Sequence, residues 1–246
     1  MSLRPFIVAG FAVLAAAGLT ACQSTQSKSA ALEEQGSKLL LDDTGLTVEK
    51  KSTDVKVVST TLLTDANGSA AVVTVRNDSG KDLTNVPISI DVLDAKGKSV
   101  YKNNIPGIEQ ALAAIPYVPA GETVDWVHDQ VLTTGKPKTL KAKVGASTAS
   151  FSGELPDIEV SEPKLIGDPV SGLEATGDVV NKTGAEQGRV LLYAVARWGN
   201  EVVAAGRGAI DHLKAGTRPL HYDIFFIGDP KGADVTVTQF PTLPGE

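Results

Sequence analysis

The chain has 246 residues with 23 basic and 29 acidic side chains, three histidines and a single cysteine. That length allows one large or two ordinary domains, and the acidic balance argues against nucleic acid as a partner and against electrostatic docking on anionic lipid. One cysteine permits no disulfide within the chain, so any domain must stand on its apolar core.

In chain order, Met1–Pro5 carries one positive charge, Arg4, and Phe6–Gly18 is an unbroken apolar run ending in small residues before Cys22. The run is shorter than the ~20 residues a membrane-spanning helix needs and has the layout of an export signal. Leu19-Thr20-Ala21-Cys22 resembles the lipobox of bacterial lipoproteins. The resemblance implies cleavage after Ala21, a diacylglyceryl thioether on Cys22 and acylation of the new amino terminus. It places the protein on the extracytoplasmic face of the cell membrane, or on the outer membrane in a two-membrane host. Residue 23 is Gln, so the Asp that would resemble an inner-membrane retention signal is absent. Without residues 1–21 the balance is 22 basic against 29 acidic side chains.

Residues 22–45 are polar and mixed, with no alternating pattern, and read as a lipidated cysteine followed by a flexible tether. As a random coil the tether would separate its ends by about 25–30 Å.

From Leu46 the pattern becomes short runs divided by turn signals at roughly 8–12 residues, the spacing of an all-β sandwich. Val55–Leu63 and Ala71–Arg76 read as strands joined by the Asp65-Ala-Asn-Gly68 turn, whose Asn and Gly tolerate positive φ. After Asn77-Asp-Ser-Gly80, Val86, Ile88, Ile90 and Val92 alternate onto one face of the next strand. Asp94–Gly97 turns into Ser99–Tyr101, and Thr123–Val127 and Thr139–Val144 complete the first set. Ile105–Ala114 reads as one helical turn or a covered loop.

A second set follows. Asn181-Lys-Thr-Gly184 repeats Asn77-Asp-Ser-Gly80, Gly199 stands for Gly97, and Ala215-Gly216 for Ala120-Gly121, at offsets of 104, 102 and 95 residues. Two copies at this period predict tandem domains. Arg189–Trp198 is apolar on both faces, Val190, Leu192 and Ala194 against Leu191, Tyr193 and Val195, and so predicts a central strand covered on both sides. The expected organisation is signal peptide 1–21, lipidated cysteine and tether 22–45, β-sandwich 46–152 and β-sandwich 153–246. The layout of strands and turns is similar to the small Ig-like sandwich called FxLYD, with Val190-Leu-Leu-Tyr193 approximating the naming signature and Ile88-Ser-Ile-Asp91 departing from it. The resemblance implies an extracytoplasmic, non-catalytic module and carries no catalytic residues.

A search for chemistry supplies no cofactor, metal or catalytic set. His128-Asp129 and Asp211-His212 put a carboxylate beside an imidazole, but neighbours in a strand point to opposite faces, which works against a base and its orienting partner. His128, His212 and His221 therefore read as exposed or edge-strand histidines. Gly206-Arg-Gly208 reads as a bend or bulge in a strand. Trp126, Trp198, Tyr222, Phe225 and Phe226 suit core positions or a binding face. The expectation is a non-enzymatic binding or scaffold module held to membrane lipid through acylated Cys22, with a protein or cell-wall partner and no nucleic acid. The alternatives are a ligand-binding lipoprotein of a transporter, which wants helical periodicity for α/β lobes, and a wall-modifying hydrolase, which wants a nucleophile, a metal set or spaced carboxylates.

Overall fold

A computed structural model describes Val48 and residues 50–243 except 148, 169–171 and 217. The expected signal peptide and tether, and Cys22, lie outside the described residues.

The chain is all-β among those residues, and every strand pairing is antiparallel. The first half contains β1 (Val55–Asp65), β2 (Gly68–Asn77), β3 (Asp82–Leu93), β4 (Ser99–Lys102), β5 (Ala114–Val118), β6 (Thr123–His128), β7 (Thr139–Val144) and β8 (Ser150–Phe151). The second contains β9 (Ile158–Val160), β10 (Lys164–Asp168), β11 (Gly172–Asn181), β12 (Gln187–Trp198), β13 (Glu201–Leu213), β14 (Leu220–Phe225), β15 (Ile227–Gly228) and β16 (Asp234–Phe240). Valine, threonine and isoleucine at alternating positions favour these strands because branched side chains pack well on a pleated, half-buried surface.

Each half is a two-sheet sandwich. In the first, the sheet β1-β2-β6 packs on a sheet centred on β3, which pairs with β4, β5, β7 and β8. In the second, β10-β11-β14 with β9 packs on β15-β13-β12-β16. No named strand of one half pairs with a strand of the other. The expected alternation on β3 is present, with Val86, Ile88, Ile90 and Val92 all buried.

The repeat is visible at atomic level in its turns. Asn77 closes β2 and donates from Nδ2 to the carbonyls of Lys81 (2.8 Å) and Val118 (2.9 Å), while its Oδ1 accepts from Ser79 N (2.9 Å) and Oγ (2.6 Å). Asn181 closes β11 and does the same with Ala185 and Leu213 (both 2.9 Å), and with Thr183 N (3.0 Å) and Oγ1 (2.6 Å). Gly121 N and Gly216 N each donate to the backbone oxygen of their own asparagine at 2.9 Å. Both asparagines are fully buried, so each satisfies backbone groups that the turn would otherwise bury without partners. Trp126 lies across from Val73, and Tyr222 from Gly177, at matching register positions.

The sandwiches share a seam. β12 is buried on both faces: Val190, Leu192 and Ala194 belong to the second sandwich's own core, while Leu191, Tyr193 and Val195 join the core of the first. β2 is likewise buried on successive positions from Ser69 to Val75. The four sheets therefore stack, in the order β3 sheet, β1-β2-β6, β15-β13-β12-β16, β10-β11-β14. The region from Asp43 to Glu246 forms one compact unit. An apolar junction of this kind holds two sandwiches in one orientation, where a polar one would let them move.

Ile105–Ala114 contributes the expected helical turn, a single 3₁₀ turn at Gln110–Leu112. Two other features differ from expectation, the first being that Ala114–Val118 is a full strand. Pro116 masks it in sequence, and it is tolerated because β5 pairs on one side only. At Gly206-Arg-Gly208 the β12–β13 register runs unbroken, so there is no bulge. The glycines instead allow close approach: a Cβ on Gly206 would lie 2.0 Å from the Phe225 carbonyl oxygen.

Candidate functional site

Several strongly perturbed titratable groups gather where the seam meets the end of β6. Gly206 and Gly208 face the second sandwich's core, so Arg207 between them points the other way, into the seam. Its side chain is only 6% exposed. Glu109, just ahead of the 3₁₀ turn, accepts from Arg207 Nη1 (3.0 Å) and Nη2 (2.8 Å) in a two-point clasp. Asp129, directly after β6, places Oδ1 3.5 Å from Arg207 Nε, an ion pair without a well-formed hydrogen bond. Arg189 joins from β12, donating to Glu109 (3.1 Å) and Asp211 (3.2 Å).

The protonation states follow from this packing. The Arg207 hydrogen bonds hold the Glu109 carboxyl below its usual range against the opposing effect of burial. Burial pushes the Asp129 carboxyl up, with Arg207 only partly offsetting it. A second contact crosses the seam at Arg197, which donates to Asp125 (2.8 Å), itself accepting from Thr74 Oγ1 (2.7 Å). Asp65 Oδ2 accepts from Gly228 N at 2.8 Å. A cleft of about 280 Å³ opens beside the cluster, lined by Glu109, Gln110, Arg189, Leu191, Phe240 and Pro241 among others.

His128 lies next to this cluster and faces the other way, into the first sandwich. It is fully buried. Its Nδ1 accepts from Gln130 N (3.2 Å), which leaves the proton on Nε2, 2.7 Å from the Tyr101 hydroxyl. Both Tyr101 and Trp126 meet its ring edge to face, at centroid distances of 5.4 and 5.6 Å. Burial, followed by the charge of Arg207, pushes the imidazole down to about 3. Burial also raises the Tyr101 phenol to about 12. In register, His128 occupies the place that Ile224 holds in the second sandwich, where Ile224 is buried in the core. This position is a core position, and the imidazole fills it as a neutral, hydrogen-bonded ring.

The three histidines do not share a site among the described residues. His212 is exposed on β13 at φ 58°, with Nδ1 2.8 Å from Glu186. His221 is exposed on the edge strand β14, near Thr176 (2.7 Å), Asp178 (3.2 Å) and Asp223 (3.3 Å). The edge-strand expectation holds for His221; His128 also lies on an edge strand but is buried, because its ring turns into the first sandwich's core against Tyr101 and Trp126. Adjacent His128 and Asp129 do point to opposite faces. Of the aromatic residues, Trp126, Tyr222 and Phe226 are in the core, whereas Trp198 and Phe225 are about half exposed. Trp198 ends β12 at the Gly199 hairpin and projects past the covered area. Cys22 lies outside the described residues.

Sequence reading missed the Glu109–Asp129–Arg189–Arg207 cluster, whose members are scattered along the chain. The available signal was one arginine flanked by glycines inside the apolar run Val202–Ile210. Removing Arg207 would leave two carboxylates facing each other in the seam. Arg207→Met should cost about 3 kcal/mol or more in urea denaturation, partly recovered by adding Glu109→Gln. A loss under about 1 kcal/mol would show that solvent already reaches the cluster.

No protein-family model matches the chain, and no curated protein is similar to it by sequence.

Proposed function

We propose that the protein is a lipoprotein of the bacterial envelope, held to membrane lipid by acylated Cys22 on the extracytoplasmic face, and that it works as a non-enzymatic binding or spacing module for a protein or cell-wall partner. The observation that carries the proposal is Leu19-Thr20-Ala21-Cys22 at the end of an apolar run, with the chain's one cysteine at the position the lipid transfer needs. One acyl chain holds a protein marginally and two or more hold it stably, so a diacylglyceryl cysteine suffices as an anchor. Among the described residues no helix is long and apolar enough to cross a membrane.

The layout supports the spacing role. Residues 23–45 precede two sandwiches joined by an apolar seam, which suits a rigid body on a leash. The buried histidine with the most strongly shifted pKa fills a place that the other repeat gives to isoleucine, which favours a structural role for it. The matching Asn77 and Asn181 turns support the likeness to tandem FxLYD-like domains, 46–152 and 153–246, as the organisation of the chain.

Mass spectrometry of the mature protein should find Cys22 at the amino terminus carrying diacylglyceryl and an added acyl chain. Cys22→Ala should move the protein from the membrane fraction to the soluble extracytoplasmic fraction. A mature chain that begins elsewhere, or full membrane retention of the variant, would sink the proposal.

A further inference from the structure

The net negative charge conceals a segregation along the stack. Residues 46–152 carry 12 basic and 11 acidic side chains, and residues 153–246 carry 8 and 14. The two end sheets show it most clearly. On the outer face of the β3 sheet, Lys143 lies opposite Ser89, and Asp91 is flanked by Lys141 on β7 and Lys102 on β4. All three lysines are exposed, and Lys102 stays 3.9 Å from Asp91, so the pairing is loose. On the outer face at the other end, Asp178, Asp223 and Glu174 share the β10-β11-β14 surface with His221 and with the exposed Lys164 opposite Thr176, so acids outnumber the lysine there. With sheets about 10 Å apart, four layers put roughly 30 Å between the two ends.

The chain joins the stack at its basic end. Val48 packs over Gly145 and Pro87 and lines a cleft of about 400 Å³ together with Ser89, Asp91, Lys102, Lys141 and Lys143. Lys51 bridges to Gly145, and Ser52 N donates to Val144 O at 2.8 Å, so Lys50 and Lys51 lie along the same edge. The segment arriving there is the one that leads back to Cys22.

We infer that the lysine-bearing outer face of the β3 sheet docks on the anionic phospholipid surface to which the tether leads, with the acidic β10-β11-β14 sheet turned away from it. The choice of membrane as partner rests on the lipoprotein reading. The charge complementarity does not. A tether of about 25–30 Å keeps the face within reach of the headgroups, and each lysine near an anionic surface adds a modest attraction that salt screens. Tethering raises the local concentration of lipid enough for such weak contacts to matter. The opposite end, where acids outnumber Lys164, is repelled by the same surface, so the field orients the stack as well as attracting it.

The test uses the mature chain with Cys22→Ser, made without lipid, so that its result does not depend on acylation. Cosedimentation compares phosphatidylcholine vesicles with vesicles that also contain phosphatidylglycerol. Binding should require phosphatidylglycerol and fade with added salt. Replacing Lys102, Lys141 and Lys143 with Gln should lower partitioning by roughly 100-fold, while Lys→Arg at the same three sites preserves it. Asp178→Asn with Asp223→Asn should not weaken it, and thermal melts check that each variant is folded. Equal binding to neutral vesicles, or no response to the three Gln changes, would overturn the inference. So would retention on purified anionic wall polymer without binding to vesicles, or salt-sensitive self-association that uses both end sheets. If instead the unlipidated chain binds as expected while Cys22 proves unmodified in cells, the docking face stands and the anchor falls.

Discussion

Stability should fall by about 2–3 kcal/mol as pH drops from about 6.5 to 4.5, and His128→Gln should remove most of that slope. The folded imidazole is held neutral, its pKa pushed down to about 3 by burial and by Arg207. The unfolded imidazole takes a proton near its ordinary value of 6.5. Protons are therefore bound by the unfolded chain first. Stability is fully present above that value and is lost as pH falls towards the folded pKa, at up to about 1.4 kcal/mol per pH unit. Glu109, held low by Arg207, adds a loss of the same sign further into acid. Asp129 works the other way, because burial raises its pKa and acid relieves its charge. Urea denaturation at a series of pH values separates these contributions. His128→Gln retains a group that can hydrogen-bond Tyr101, so its cost at pH 7 should be modest compared with His128→Ala, which also opens a cavity beside Trp126. An unchanged pH slope in the glutamine variant would show that the imidazole titrates normally in the fold.

Gly206→Ala should be among the most destabilising single-methyl changes in the chain, costing about 3 kcal/mol or more. The added Cβ would lie 2.0 Å from the Phe225 carbonyl oxygen and 2.9 Å from Ile224 Cγ2. Backbone cannot rotate away as a side chain can, so β13 and β14 would have to separate. Two neighbours grade the effect. Gly208→Ala meets Ile224 Cγ1 at 3.0 Å, which a rotamer change can relieve, and should cost about 1 kcal/mol. Gly184→Ala meets nothing within 4 Å and should be close to neutral. Chemical denaturation of the three variants reads the order directly. A Gly206→Ala protein as stable as Gly184→Ala would mean that the sheets around Gly206 are not packed as described.

The expectations that succeeded rest on local chemistry. The turns at Asp65–Gly68 and Asp94–Gly97 are marked by residues that accept positive φ or cap their own backbone, and Gly68 and Gly97 do have positive φ. The double apolar face of β12 is written in six consecutive side chains, so its burial on both sides could be read without knowing what covers it. What was not legible depends on distant partners. Proline at 116 disguised β5, since only the pairing pattern shows that its missing N–H faces no neighbouring strand. Gly206 and Gly208 announced an unusual backbone site, but sequence could not distinguish a bend from an approaching sheet. Arg207 signalled a buried charge, yet its partners Glu109 and Asp129 come from the other half, about 80–100 positions earlier. For Trp198 and Phe225 the choice between core and surface was not legible, because a strand's end and an outer face carry aromatics without any local mark.

The seam joins one kind of sheet to the other, not like to like, and this has a consequence for how long such an array can be. Leu191, Tyr193 and Val195 of the second repeat correspond to Pro87, Ser89 and Asp91 of the first. On the opposing surface, Val72 and Val127 correspond to Thr176 and Asp223. An A-to-B contact is self-propagating in principle, since each added unit offers a fresh copy of the surface just used, and nothing in its geometry closes a ring. Here the two unused copies carry Ser89, Asp91, Thr176 and Asp223 where the seam has apolar residues, although Ile166 and Phe225 remain exposed on the β10-β11-β14 face. Those polar replacements make each end face a poorer seat for another unit, in the manner of the polar caps that end longer repeat arrays. A descendant with three sandwiches would need little new architecture, only the return of a few apolar side chains at one end.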